Sequence, residues 1–209
     1  MLDLQSNGHS GLIDPTTISG PVPPAFPLSA NNLDKVVEYR HNVEGQNSVV
    51  ARRGLPRGSH ICYIDTYIPA SVSTWSSIQT SKTTHIEVPS GIVYINHSCV
   101  PSIDIEVYPP NSDGTYVNGV CGELRVVADR DLEAGAELTF FYPSTEYISP
   151  RPFDCLCGAD IGVCIGRQEG AHFLQNDVLG KYFVNKHIKD LIVKRDSEGR
   201  AKVSLNWNT

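Results

Sequence analysis

No run of about twenty apolar residues occurs in this 209-residue chain, so no helix able to cross a bilayer is expected. Basic residues are in the minority: 17 Lys and Arg stand against 23 Asp and Glu, a formal net charge of −6. Without a basic stripe to neutralise phosphates, direct nucleic-acid binding is not expected. The opening "MLDLQSNGHSG" lacks a basic stretch followed by an apolar one. No secretory leader is therefore expected, and the chain is placed inside the cell, in the cytoplasm or nucleus. Internal repeats are also absent. What remains is enough length for one domain, or one domain with an appendage, to bury a core.

Residues 1–35 are rich in Pro, Ser, Gly and Asn ("SGPVPPAFPLSANN") and carry neither helical nor alternating period. They read as an irregular arm, with Leu12, Ile13, Phe26 and Leu28 available for burial against the domain. "SVVA" and "HICYI" read as strands joined by a Gly/Pro bend, and the Ser/Thr-rich stretch 71–84 as a loop with at most one helical turn. Short β-type runs follow at "HIEV", "IVYI", "IDIEVYP", "ELRVVA" and "ELTFFY", punctuated by turns at Asn111–Gly114 and Glu133–Gly135. Only residues 168–195 show apolar spacing near 3.6, through Phe173, Leu174, Val178, Leu179, Phe183, Ile188, Leu191 and Ile192. The expected fold is mainly β with minor α, closed by helix at its C-terminal end.

Six cysteines in a chain expected to stay inside the cell point to metal or buried thiols rather than disulfides. "FDCLCGADIGVCIG" holds Cys155, Cys157 and, after six intervening residues, Cys164, with Gly158 after the pair and Gly166 close behind the last. Such spacing lets the backbone wrap several sulfurs round one centre, and tetrahedral zinc wants four. Cys62, Cys99 and Cys121 are candidates for the fourth. Cys62 and Cys121 sit beside apolar strand residues and read as inert buried thiols. Cys99 lies in the polar turn "YINHSCVPS".

Together, Asn96-His97-Ser98-Cys99 with Pro101, then "ELTFFY", then Cys-x-Cys-Gly and a further Cys, resemble SET-domain proteins. "VVARRGLPRGSHI" (49–61) is similar to their N-terminal motif, and "FFYPSTEY…PFDCLCG" resembles small members with a post-SET segment. The resemblance implies a SET fold: β-clip-like small curled sheets with the C-terminal segment passing beneath a loop as a pseudoknot. It divides the chain into an arm (1–35), a SET domain (36–148), a zinc-binding post-SET segment (149–167) and a C-terminal helical extension (168–209).

The same resemblance implies an S-adenosylmethionine-dependent methyltransferase acting on a lysine amine of a non-histone protein or on a small molecule. Ser48, Val49, Val50, Asn96, His97, Tyr142, Phe153 and Leu156 would contact the cofactor, and Tyr142 would stand where the methyl group crosses. Cys99, Cys155, Cys157 and Cys164 would hold a structural zinc. A methyl channel would draw on Phe140, Phe141, Tyr94, Tyr147 and Phe153. The chain departs from the family pattern in three places: Gln46, Asn47 and Ser48 replace a Gly-x-Gly, Phe141 replaces an Asp, and Ser102 replaces an Asn. The insert between "HICYI" and "HIEV" spans only 20 residues (65–84), which leaves little with which to build a peptide groove.

Other readings of the same residues remain open at this point. Asn96 can cap a turn, His97 can be a core histidine, and the aromatic cluster can be ordinary packing. A Cys99–His97 hydrolase pair is a further reading, although no reactive-thiol context accompanies it. A SET scaffold that only binds, or one redirected to cyclisation or isomerisation of a small molecule, is the alternative to methyl transfer.

Overall fold

The structure is a computed structural model that describes residues 33–41, 47–89 and 91–205, with side chains described as far as Gly199. The Pro-rich arm before Leu33, with its four apolar residues, lies outside the described residues, as does Gln46. In chain order the elements are α1 (Leu33–Val36), β1 (Val37–His41), β2 (Asn47–Ala51), β3 (His60–Ile64), β4 (Ile68–Ala70), β5 (Ser77–Gln79), β6 (His85–Glu87) and β7 (Asn96–His97). They continue with β8 (Ile103–Val107), β9 (Gly122–Val126), β10 (Thr139–Phe140), β11 (Phe153–Asp154), β12 (Arg167–Gln168), α2 (Asn176–Leu179) and α3 (Lys186–Leu205).

The strands form small separate sheets: β1–β2, β3–β9–β8, β4–β6–β5, β7–β10 and β11–β12. All pairings are antiparallel except β7–β10, which is parallel with Asn96 opposite Thr139 and His97 opposite Phe140. The three-stranded sheet around β9 carries the main core. In β8 the alternation "IDIEV" turns Ile103, Ile105 and Val107 inward, as a half-buried strand requires. In β3 a register shift between His60 and Cys62 breaks the alternation, so that neighbours Ile61 and Cys62 both face the core.

One segment is threaded. Gly135 donates to the Ala51 carbonyl (2.7 Å), Ala51 to Ala136 (2.8 Å) and Leu138 to Val49 (2.7 Å). On the other side Ser102 donates to Thr139 (3.0 Å) and Ser98 to Phe140 (3.0 Å). Residues 135–140 therefore run between β2 and the 96–102 turn, bonded to both, in the pseudoknot manner expected.

Several local expectations need correction. "IVYI" is a 3-10 turn, Gly91–Tyr94, because four apolar residues suit a strand or a buried turn equally and periodicity does not separate them. The 71–84 stretch contains β5, hidden by its polar composition: Ser77, Gln79 and Thr80 are buried yet bonded, Gln79 Oε1 accepting from Tyr147 N–H and Thr80 Oγ1 pairing with Tyr116 Oη. "ELTFFY" contributes only Thr139–Phe140 to a ladder, and Tyr142 opens a 3-10 turn with Pro143. The helical period of 168–195 is interrupted by β12, by a turn over Ala171–Phe173 and by Gly170, whose φ of 102° suits glycine and whose missing Cβ would lie 2.6 Å from the Tyr147 carbonyl. A continuous helix begins only at Lys186. Among the described residues no helix is long and apolar enough to cross a membrane.

A second core joins Phe141, Ala171, Leu179, Val184, Ile188 and Ile192. Asn185, 2% exposed, fastens it to the first. Its Oδ1 accepts from Val107 N–H (2.9 Å), and its Nδ2 donates to the carbonyls of Ile105 (2.8 Å) and Ser144 (3.0 Å). Asn185→Ala would orphan buried groups on two elements at once. The expected loss of unfolding free energy is about 2–4 kcal/mol, read from the shift of the denaturant midpoint.

Candidate functional site

The Sγ atoms of Cys99, Cys155, Cys157 and Cys164 lie within 4.8 Å of one another, with Cys99–Cys155 at 3.8 Å and Cys157–Cys164 at 4.0 Å. Four sulfurs each about 2.3 Å from a central zinc would stand about 3.8 Å apart, so the cluster has the size of a tetrahedral thiolate cage. The backbone supplies further bonds, Ile165 N–H to Cys99 Sγ and Gly166 N–H to Cys164 Sγ, both 3.4 Å. Gly158, at φ 73°, turns the chain directly after Cys157. Cys62 and Cys121 stand apart from the cluster, buried, with burial pushing both thiols up to about 12, as befits inert core residues.

His97 is the hinge between this cage and the threaded segment. Its Nδ1 accepts the Tyr142 backbone N–H at 3.2 Å, which an amide can only donate. The neutral ring therefore carries its proton on Nε2, 3.5 Å from Cys99 Sγ, and donates there. Burial lowers the ring's pKa to about 4. The contact is an orienting hydrogen bond from a neutral imidazole, which leaves a hydrolase pair without its base.

Asn96 is a clamp: its Nδ2 donates to the Asn47 carbonyl and to Glu137 Oε1, both at 2.9 Å. Val49 and Val50 are buried, so that their side chains pack the core, while Ser48 is partly exposed. Phe153 and Leu156 point apolar surface outward, 36% and 86% exposed. Phe153 lies edge-on to both His97 and Tyr142, with ring centroids 6.0 Å away in each case. Phe153 thus offers a partly uncovered apolar face beside His97, and Leu156 a second apolar surface open to solvent.

Tyr142 belongs to two surroundings. Its ring meets Phe153 and His97, and it also lines a cavity with Trp75, Ile92, Ile95, Phe140 and Glu146. The cavity is small, about 30 Å³, and opens towards solvent. The Tyr142 hydroxyl donates to the Ile95 carbonyl at 3.0 Å. Burial, with the Glu146 and Glu137 carboxylates adding to it, holds the phenol well above its ordinary pKa, so it stays neutral.

Of the residues expected to form a methyl channel, Phe140 lines this cavity. Phe141 instead stacks on Tyr182 (3.8 Å, 6° between planes), Tyr94 packs on Tyr39, and Tyr147 bonds His172. Trp75, Ile92, Ile95 and Glu146 were not foreseen. Only Glu146 left a signal, its four-residue spacing from Tyr142.

A model of the SET domain matches residues 30–143. A curated relative, "Methyltransferase flvH" of Aspergillus flavus, is 41% identical over 155 residues, 72% of this chain and 79% of its own length. Among solved structures, KRYPTONITE in complex with mCHG DNA and SAH aligns with a TM-score of 0.47 at 20% identity, over 63% of this chain and 28% of that one. KRYPTONITE in complex with mCHH DNA, H3(1-15) peptide and SAH gives 0.46 at 18% identity, over 63% and 29%. The chain spans less than a third of the length of these two structures.

If the four thiolates hold zinc, elemental analysis of untagged protein is expected to return about one zinc per chain. Cys157→Ser is expected to lose it and to melt at lower temperature, since a structural ion contributes directly to folding. Full metal content and unchanged melting in that variant would refute the assignment.

Proposed function

The chain belongs to the SET-domain family and is a SET-type methyltransferase, and on that premise we propose that it transfers a methyl group from S-adenosylmethionine to an amine. The acceptor is a lysine side chain of a non-histone protein or an amine of a small molecule. The observation that carries this reading is the position of Tyr142, which lines a largely apolar cavity while its ring abuts Phe153 and His97. The 20-residue insert between β3 and β6 supports an acceptor that needs no long peptide groove.

In this reading β2 at Ser48–Val50, the Asn96–His97 strand, Phe153 and Leu156 hold the cofactor. When bound, S-adenosylmethionine supplies an electrophilic methyl on a positively charged sulfur. The protein's part is positioning and exclusion of water. The Tyr142 hydroxyl has its proton committed to Ile95, so its oxygen lone pairs are left to accept an N–H of the incoming amine. Phe140 and Tyr142, 4.6 Å apart between centroids, wall the approach. Zinc with four thiolates has no open position for water and takes no part in the chemistry. It would instead tie the segment bearing Phe153 and Leu156 to Cys99.

Tyr142→Phe keeps the ring and deletes one hydroxyl. Methyl transfer onto acceptors in a cell extract, followed with labelled cofactor and scanned for protein and small-molecule products, is expected to slow by about 100-fold. Cofactor affinity by calorimetry is expected to hold, because the hydroxyl acts in the transition state. Equal rates for both proteins would remove Tyr142 from the reaction.

Asn96→Ala releases β2 and Glu137 from the clamp beside the proposed cofactor strand. It is expected to weaken S-adenosylmethionine by about one to two decades, the loss of about 1–3 kcal/mol from polar contacts that position the strand. Unchanged affinity would place the cofactor elsewhere.

A further inference from the structure

Among the residues lining the cavity beside Tyr142, Glu146 alone carries a charge; the rest are apolar or hydroxyl-bearing. It reaches the cavity because its N–H donates to the Tyr142 carbonyl at 3.0 Å, closing one helical turn that sets the two side chains on one side. The carboxylate is held in place by neutral donors. Gln168 Nε2, on a fully buried side chain of β12, donates to Oε2 at 2.8 Å, and the Ser149 hydroxyl bonds the same group. Among the described residues Glu146 makes no ion pair. A carboxylate among apolar walls with no cation beside it is costly, and a cationic guest would relieve that cost.

We infer that Glu146 is the seat of the acceptor, receiving an aliphatic ammonium group at Oε1 and taking one proton from it. The inference rests on the amine-methylation reading and names the group that selects the amine. The carboxylate and R–NH3+ become a carboxylic acid and R–NH2: the proton moves to Oε1 and the N–H electron pair stays on nitrogen as its lone pair. Two neutral groups replace an ion pair, which apolar walls favour. Half-exposed Trp75 at the cavity wall offers a face for the alkyl chain or the cation. The Tyr142 hydroxyl stands on the same turn as the seat, ready to orient the freed amine.

The electrostatic setting agrees with this role. Burial raises Glu146 to about 7 against the hydrogen bonds from Gln168 and Ser149, so the carboxylate accepts a proton readily near neutral pH. The titratable groups around it do not compete. Tyr142 stays neutral, and His187 of α3, against the same turn, has a pKa lowered to about 4 chiefly by burial and also stays neutral. Glu169, next to Gln168, is engaged by Arg167.

The test uses n-pentylammonium as probe and n-pentanol as its neutral isostere, with the full chain at about pH 8, a unit above the Glu146 pKa. Native protein is expected to bind the ammonium at least tenfold more tightly than the alcohol. Glu146→Gln is expected to lose that preference without melting lower. The preference in the native protein is expected to fade as pH falls through about 7, a readout that stands even if the variant fails to fold. In turnover with n-pentylamine, kcat/KM of the native protein should level off above about pH 7, whereas Glu146→Gln should keep rising towards the amine's own pKa of about 10. A lysine peptide showing the same Glu146 dependence would assign the amine to a protein side chain, and dependence with the free amine alone would assign it to a small molecule; both uphold the seat. Equal ammonium affinity in native and Glu146→Gln protein, or no ammonium preference in the native protein, would overturn it even if methyl transfer is found. Glu146-dependent ammonium binding with no affinity for S-adenosylmethionine would keep the seat and sink the methyltransferase reading.

Discussion

Everything at the site hangs on the backbone hydrogen bonds that hold residues 135–140 between β2 and the 96–102 turn. Those bonds are short, 2.7–3.0 Å, and they fix the register of β10 against β7. From that register follows the rest. His97 falls where the Tyr142 amide can reach its Nδ1, and the ring then presents its Nε2 proton to Cys99. Cys99 is the buried member of the four clustered thiols, and through it the cysteines of the segment between β11 and β12 meet the core. A one-residue slip would turn His97 away and separate the cysteine cage from the tyrosine.

The hairpin of β11 and β12 returns the favour. Phe153 and Gln168 stand opposite one another across it, one edge-on to Tyr142 and the other bonded to Glu146. A metal in the cysteine cage would therefore brace the two residues proposed to handle the acceptor without touching either. The proposed arrangement separates tasks that a catalytic metal would combine: the ion would set shape, while phenol and carboxylate would meet the substrate.

The parts legible in the sequence were those whose meaning lies within a few residues. Asn96–Cys99 and the Cys155–Cys157–Cys164 spacing announce themselves, and "IDIEV" shows its inward face by simple alternation. Other parts depend on distant partners. β5 looked like a polar loop because Ser77, Gln79 and Thr80 bury hydroxyls and amides whose partners, Thr74, Tyr147 and Tyr116, are in part far along the chain. Phe141, where the resemblance leads one to expect an Asp, finds its partner 41 residues on, in Tyr182, on which its ring stacks. Trp75 comes from a Ser/Thr-rich stretch with no period at all, and Asn185 carries no local mark of the three bonds it makes to β8 and the Tyr142 turn.

The reach of those last contacts has a consequence for synthesis. Tyr182 Oη bonds the Cys99 carbonyl across 83 residues of sequence, and Asn185 reaches Val107 across 78. A ribosome delivering the chain from its N-terminus exposes β1–β9, with Cys99 unpartnered, well before either anchor leaves the exit tunnel. The strands of the early sheets are all delivered by Val126, whereas the Cys99 carbonyl and the Val107 amide wait for Tyr182 and Asn185. The nascent protein thus passes through a stage that has most of its sheets but not yet the two bonds that anchor the turn and β8.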